Sequence, residues 1–107
     1  MSIRQLPQTD WRAYFDRFSK EKSDQHRVDY AEIRVFSAEL GAQPETRWLP
    51  LEGITYDHHD DRLDIFVKGL GHLIAHPQSI HIDETNGRLD SMEIVRTDGA
   101  REVVEIR

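Results

Sequence analysis

The chain has 107 residues, no cysteine, 32 % charged residues and a formal net charge of −6 at neutral pH with uncharged histidines. This length fits one domain, and the lack of cysteine excludes disulfides, thiolate metal sites and cysteine nucleophiles. The negative field disfavours nucleic acid, and no segment has the ~20 apolar residues of a membrane span. We expect a single cytoplasmic domain over residues 1–107 that binds neither nucleic acid nor membranes.

The N-terminal region predicts one amphipathic helix. Residues 1–8 form a polar lead-in closed by Pro7, and Thr9 and Asp10 are residue types that begin helices. Four aromatic side chains follow at positions i, i+3, i+4 and i+7, a spacing that places them on one stripe of a helix: Trp11, Tyr14, Phe15 and Phe18. We therefore expect a helix over residues 10–20 that covers one face of a sheet.

Residues 28–107 predict an antiparallel sheet. Asn86-Gly87 and Asp98-Gly99 favour the positive φ angles of tight hairpins between the last three strands. The apolar parity switches at Gly53, which predicts a β-bulge, and Pro50 predicts an edge or a gap in pairing. Six segments alternate apolar and polar residues with the period of two that is typical of strands: 28–36, 48–56, 62–68, 79–84, 88–96 and 101–107.

The alternation breaks over residues 69–77. Leu70, Leu73 and Ile74 have the spacing of a single helical turn, which would plug one end of the sheet. Taken together, the pattern predicts an α+β, mostly β fold. An N-terminal helix packs on a curved antiparallel meander of five to six strands, which is either an open sheet or approaches a small open barrel.

Two histidine-rich segments are the weak candidates for a metal site. His58 and His59 lie among aspartates in a turn, where aspartate is also explained by local hydrogen bonds to the backbone. His72 and His76 would share one face of a helical turn, as two zinc ligands can. Pro77 ends that segment, however, and a third ligand must come from elsewhere. We therefore predict no metal and no cofactor, and keep a small-ligand or metal-binding domain as the alternative function.

Catalytic signatures are absent from the sequence. Ser79 lies between His76 and His81 but has no nucleophile elbow around it. Gly69-Leu70-Gly71 lacks the third glycine of a dinucleotide fingerprint. We predict no catalytic residue and no enzymatic activity.

Three large apolar side chains fall on the polar parity of their strands: Tyr30, Phe36 and Phe66. If the sheet curls so that they cluster, they form an exposed patch of the kind that marks interfaces; if it buries them, they form a second small core. An unpaired edge strand, either the one with Pro50 or residues 103–107, would allow association by strand addition. The preferred prediction is a non-catalytic interaction or regulatory module that docks to another protein or to itself.

Four motifs follow one another along the chain: Trp11…Phe15…Phe18-Ser19, Leu49-Pro50-Leu51-Glu52-Gly53-Ile54-Thr55-Tyr56-Asp57, His76-Pro77 and Asp98-Gly99. Their order resembles a family of small bacterial proteins classed only as a domain of unknown function. The resemblance implies a compact domain and no assigned activity or ligand. A second resemblance, at the level of fold, is to the Sm-like RNA-binding barrels, which also begin with a helix before a strongly bent sheet; fold alone implies no function.

Overall fold

This computed structural model describes residues 2–38 and 41–107, without the side chains of residues 44–46. The described part of the chain contains one α-helix and eight strands. The helix α1 spans Trp11–Asp24 and follows a short 3-10 helix at Gln8–Asp10. The strands are β1 (Ser2–Leu6), β2 (Asp29–Ser37), β3 (Gly41–Asp57), β4 (Arg62–Val67), β5 (Leu70–Ala75), β6 (Pro77–Thr85), β7 (Arg88–Arg96) and β8 (Arg101–Ile106). The predicted mostly-β class is confirmed, with eight strands rather than five or six.

All these strands belong to one antiparallel sheet with the order β1-β6-β7-β8-β2-β3-β4-β5. A single residue, His76, joins β5 to β6, although the two strands lie near opposite edges of the sheet. The sheet must therefore fold over on itself at this corner. It does not close into a barrel in the described residues, so β1 and β5 are its two edges.

The helix α1 covers the inner face of the sheet, as the aromatic stripe predicts. Trp11 and Phe15 are 1 % and 0 % exposed. The Trp11 ring meets the Tyr56 ring edge-on at 5.1 Å, and its Nε1 donates a hydrogen bond to the Leu6 carbonyl at 2.8 Å. The sheet residues of the core include Ile33, Ile65, Ile80, Ile82, Met92, Ile94 and Val104. Within the described residues, no helix combines the length and hydrophobicity required to cross a membrane.

The β-bulge predicted at Gly53 is present, and α1 is fastened beside it. The β3–β4 register shifts between Leu51 and Gly53. Ser19 Oγ donates to the Ile54 carbonyl at 2.7 Å and accepts from the Ile54 N–H at 2.9 Å. A Cβ atom on Gly53 would lie 3.3 Å from Ser19 Oγ, so the bare backbone lets the helix approach this closely.

The hairpin turns follow the sequence signals. Asn86 and Gly87 both have positive φ angles, 55° and 76°, as a tight β6–β7 turn requires. Gly99 has a φ of 88° between β7 and β8. The alternating apolar residues of the three closing strands are buried: Ile80, Ile82, Met92, Ile94, Val104 and Ile106.

The N-terminal segment differs from the prediction. Residues 2–6 of the polar lead-in form β1, which pairs with β6. Its first four residues are exposed and only Leu6 is buried, so the sequence shows no alternation there. The helix continues past the predicted residue 20 to Asp24, and the Lys22 ammonium of its last turn donates to the Arg27 carbonyl at 2.6 Å. Asp10 occupies the N-cap position but makes no capping bond with its side chain.

The helical turn predicted over residues 69–77 is wrong, because this segment is a strand. Gly69, with a φ of 79°, turns the chain tightly, and β5 runs back along β4 from Leu70 to Ala75. Leu73 and Ile74 therefore point to opposite faces of the sheet instead of sharing one side of a helix. The spacing of the apolar residues is compatible with a helical turn, but backbone pairing with β4 makes this segment a strand.

Neither strand proposed as an edge is one. The strand with Pro50 lies between β2 and β4, and β8 lies between β7 and β2. Tyr30 exchanges both backbone hydrogen bonds with Arg107, so the neighbouring Tyr30–Pro50 pair needs none. The nitrogen of Pro50 faces Lys68, the residue after β4, and the Lys68 N–H donates to the Pro50 carbonyl at 2.9 Å. The predicted gap in pairing is thus a single missing hydrogen bond, the one that a proline nitrogen cannot donate.

Candidate functional site

The β5 edge presents unpaired backbone groups. The His76 N–H donates to the Asp61 carbonyl at 2.7 Å, which identifies this β4–β5 pair as a hydrogen-bonded one. Because such pairs alternate along an antiparallel ladder, the N–H and C=O groups of Gly71, Leu73 and Ala75 point away from β4. Across the described part of the chain, β4 is the only strand that pairs with β5 through backbone hydrogen bonds. Three donors and three acceptors therefore face outward.

Exposed apolar side chains lie along this edge. Phe66 and Leu73 are 41 % and 52 % exposed. They converge over Gly71, where an added Cβ would lie 3.9 Å from the Phe66 ring and 4.0 Å from Leu73. We call Phe66, Gly71 and Leu73 the β5 patch. The strand itself, Leu70–Ala75, carries no Asp, Glu, Lys or Arg, although Arg96 and Asp98, at the end of β7 and in the turn after it, line a cleft with Leu73 and Ala75.

A buried carboxylate holds β5 against β8. Glu102 is 2 % exposed, and its Oε1 contacts His72 Nε2 while its Oε2 accepts from Arg96 Nη1 at 3.3 Å. The His72 side chain is 14 % exposed. His72 therefore faces a carboxylate in the interior instead of sharing a helical face with His76, as the metal-site alternative required.

The other three histidine candidates lie near the β3–β4 turn. The rings of His58 and His59 lie side by side, tilted by 36°, with centroids 4.0 Å apart. His76 Nδ1 lies 3.2 Å from Asp61 Oδ2, and the Tyr56 hydroxyl donates to Asp61 Oδ1 at 2.6 Å. The Tyr56 hydrogen bond, aided by His76, holds the pKa of Asp61 below its usual value. Over residues 2–38 and 41–107, no three or more His, Asp or Glu side chains are arranged to hold a metal ion.

The three predicted interface residues occupy separate places. Tyr30 is 44 % exposed near the start of β2. Phe36 is partly buried near the other end of that strand, under the Arg101 guanidinium at 5.8 Å. Six residues of extended strand put the backbone positions of these two residues roughly 20 Å apart. Of the three, Phe66 is the one that belongs to the β5 patch.

A second candidate site is a cleft of about 260 Å³ between α1 and the β6–β7 turn. We call it the arginine cleft, because Arg17, Arg27 and Arg88 line it. The Asp29 carboxylate behind it is 1 % exposed and accepts from Arg27 Nε at 2.8 Å and from Arg88 Nη2 at 2.6 Å. Arg88 is far in sequence from Arg17 and Arg27, so no local sequence pattern indicates the cleft.

The wall of the arginine cleft also carries Tyr14 and Glu84. The Tyr14 hydroxyl donates to Glu84 Oε2 at 2.6 Å. Burial, and next this carboxylate, raise the pKa of Tyr14, so the hydroxyl keeps its proton at neutral pH. The Arg4 guanidinium lies 3.6 Å from the other oxygen of Glu84.

Sequence comparison identifies the family. A family of unknown function, DUF5335, matches residues 2–107. The chain belongs to this family. An uncharacterised protein of Aquifex aeolicus (strain VF5) is 32 % identical over 108 residues, which cover 100 % of this chain and 94 % of that protein. The family resemblance read from the four motifs is therefore confirmed.

No solved structure matches the chain. The likeness to Sm-like barrels is not confirmed, since the DUF5335 sheet has eight strands in the described residues and stays open. Two of the motifs meet at the joint between α1 and β3: Trp11 packs on Tyr56, and Ser19 bonds Ile54. In this DUF5335 protein these two motifs thus have a structural role.

Proposed function

We propose that this DUF5335 protein is a non-catalytic interaction module that self-associates through β5. The partner is a second copy of the chain, whose β5 pairs antiparallel with the first. One observation carries the proposal: β5 is an uncharged edge strand whose outward N–H and C=O groups adjoin the exposed β5 patch. Edge strands are a common template for strand addition.

The free backbone groups set the register of this pairing. With Leu73 opposite its counterpart, Gly71 faces Ala75 of the other copy and Ala75 faces Gly71. Three such pairs with two hydrogen bonds each would use every outward group of the three residues. The two Leu73 side chains then touch on one face, and the small Gly71 and Ala75 leave room for Phe66. The strand is therefore complementary to itself.

Charge favours association at this place over the rest of the surface. Each copy carries −6, so two copies repel at a distance, and β5 is a segment without charged residues where they can approach. A two-fold pairing of this kind closes on itself and gives a dimer instead of a fibre. Because a six-residue strand buries less than a standard interface, we expect a weak dimer that salt strengthens by screening the repulsion.

Sedimentation velocity over a wide range of protein concentration tests the proposal. The wild-type chain should shift from monomer to dimer, and Leu73→Lys should stay monomeric because it places a charge at the two-fold axis. Ile3→Lys is the matched control, since Ile3 is 69 % exposed on the other edge strand; it should dimerise like the wild type. A wild-type monomer at every concentration, or equal loss of the dimer in both variants, contradicts the proposal.

We further propose that the module works in the cytoplasm without nucleic acid. The absence of cysteine suits a reducing compartment. The net charge of −6 opposes binding to a phosphate backbone. The sequence contains no nucleophile motif of the kind that would favour catalysis.

A further inference from the structure

We infer that the arginine cleft binds a compact oxyanion group, either the phosphate or the carboxylate of a small ligand. Three arginines, Arg17, Arg27 and Arg88, line this cleft of about 260 Å³. Guanidinium groups recognise oxyanions through forked, charge-assisted hydrogen bonds. This inference concerns a different surface from the β5 edge and does not depend on self-association.

The arginines keep donors available for a ligand. A guanidinium has five N–H donors. Arg88 uses Nη2 for Asp29, and Arg27 uses Nε for Asp29 and Nη1 for Gln25 at 3.3 Å. Arg17 lies over the Tyr14 ring at 5.8 Å and makes no ion pair or hydrogen bond with the residues that the structure describes. Arg17 therefore has all five donors, and Arg88 those other than Nη2, uncommitted to the described residues.

Asp29 positions two of the three arginines. Its two oxygens hold Arg27 and Arg88 from opposite sides, and its side chain is fully buried. A buried carboxylate shared in this way lets two cations lie close together, and it orients their remaining donors before a ligand arrives. Asp29 is thus a positioning residue that need not touch the ligand.

The carboxylates at the cleft limit the ligand to a small one. Glu84 is already occupied by the Tyr14 hydroxyl and by Arg4, and Glu21 lies on the helix side of the opening. With Asp29 included, three carboxylates balance the three guanidinium groups. Binding must therefore come from directed hydrogen bonds to one compact anion, and a long polyanion would be repelled by the −6 chain around it.

Calorimetric titration of the full chain at constant ionic strength tests this inference, with inorganic phosphate in one arm, acetate in a second and chloride as the baseline. Arg17→Gln removes a guanidinium that no folded-state ion pair uses, so the variant should fold. Arg12→Gln is the control, because Arg12 is an exposed arginine of the same helix that does not line the cleft.

We expect saturable, one-to-one binding in the phosphate or the acetate arm, and the arm that binds identifies the oxyanion. Arg17→Gln should weaken this binding roughly tenfold, the loss of a charge-assisted hydrogen bond, while Arg12→Gln should stay within about twofold of the wild type. Arg88→Gln, checked for folding by its thermal unfolding, should weaken it similarly. No binding above chloride, or equal weakening by Arg12→Gln and Arg17→Gln, overturns the inference.

Discussion

The two edge strands of the sheet, β1 and β5, differ in whether nearby residues discourage pairing with a further strand. β1 carries Arg4 and is followed by Pro7, two devices that discourage a further strand. Its last residue, Leu6, is buried and accepts a hydrogen bond from Trp11 of the helix. β5 has neither a charged residue nor a proline within it. The protected edge belongs to the core under α1, and the unprotected edge is left available for association.

The two edges also differ in what holds them. The β1 edge is attached through α1 to the aromatic core, which a mutation should disturb globally. The β5 edge is attached by its hairpin to β4 and by the contact of His72 with the buried Glu102. Regions with fewer buried contacts open at lower free energy than the core, so mutations around β5 should act locally.

The largest loss of stability should come from a mutation in the core beneath α1. Phe15 is 0 % exposed beneath the helix, so Phe15→Ala should lower the free energy of unfolding by roughly 3–5 kcal/mol through lost burial and the cavity left behind. Urea denaturation followed by circular dichroism measures it. A loss below about 1 kcal/mol would mean that the helix does not stabilise this sheet.

Glu102→Gln should have the next largest effect. The change keeps the shape of a 2 % exposed side chain but removes the charge that His72 and Arg96 contact, and we expect a loss of about 1–3 kcal/mol. Hydrogen exchange should accelerate in β5 more than in β1. The control, Glu105→Gln, alters an exposed carboxylate on the same strand. Equal destabilisation by the two variants would contradict the anchoring role.

Alanine substitution should have different effects on stability at two glycines, one at the helix joint and one in β5. Gly53→Ala should cost about 1 kcal/mol or more, because its Cβ would lie 3.3 Å from Ser19 Oγ at the helix joint. Gly71→Ala should not destabilise the monomer, because its Cβ makes ordinary contacts at 3.9 Å and alanine restricts the unfolded chain. Thermal unfolding at low protein concentration distinguishes the two. The reverse order of stability would refute the close approach at Gly53.

The smallest effect should appear at acidic pH. The Tyr56 hydroxyl lowers the pKa of Asp61 in the folded state. The ionised Asp61 carboxylate therefore stabilises the fold above the unfolded pKa of about 3.9. This stabilisation is lost as the pH falls through the lower pKa of the folded state. Unfolding midpoints measured between neutral and acidic pH should fall less steeply for Asp61→Asn than for the wild type. Parallel curves for the two proteins would contradict the assignment.

Local signals predicted much of the fold. The stripe from Trp11 to Phe18, the Asn86-Gly87 turn and the bulge at Gly53 each follow from residues close in sequence. β1 was missed because only one of its five residues is buried, and β5 because its apolar spacing also suits a helix. The arginine cleft needs Asp29 to hold Arg27 and Arg88 together beside Arg17 of the helix, and the contact with Arg88 is a long-range one that no sequence window contains.

The central claim, that β5 is the edge that associates, is tested most directly by amide hydrogen exchange at low and high protein concentration. The account predicts that the amides of Gly71, Leu73 and Ala75 become protected as concentration rises, while those of β1 do not change. In Leu73→Lys the same three amides should exchange at the rate of the dilute wild type. Protection that does not depend on concentration, or that grows at β1 instead of β5, would contradict the account.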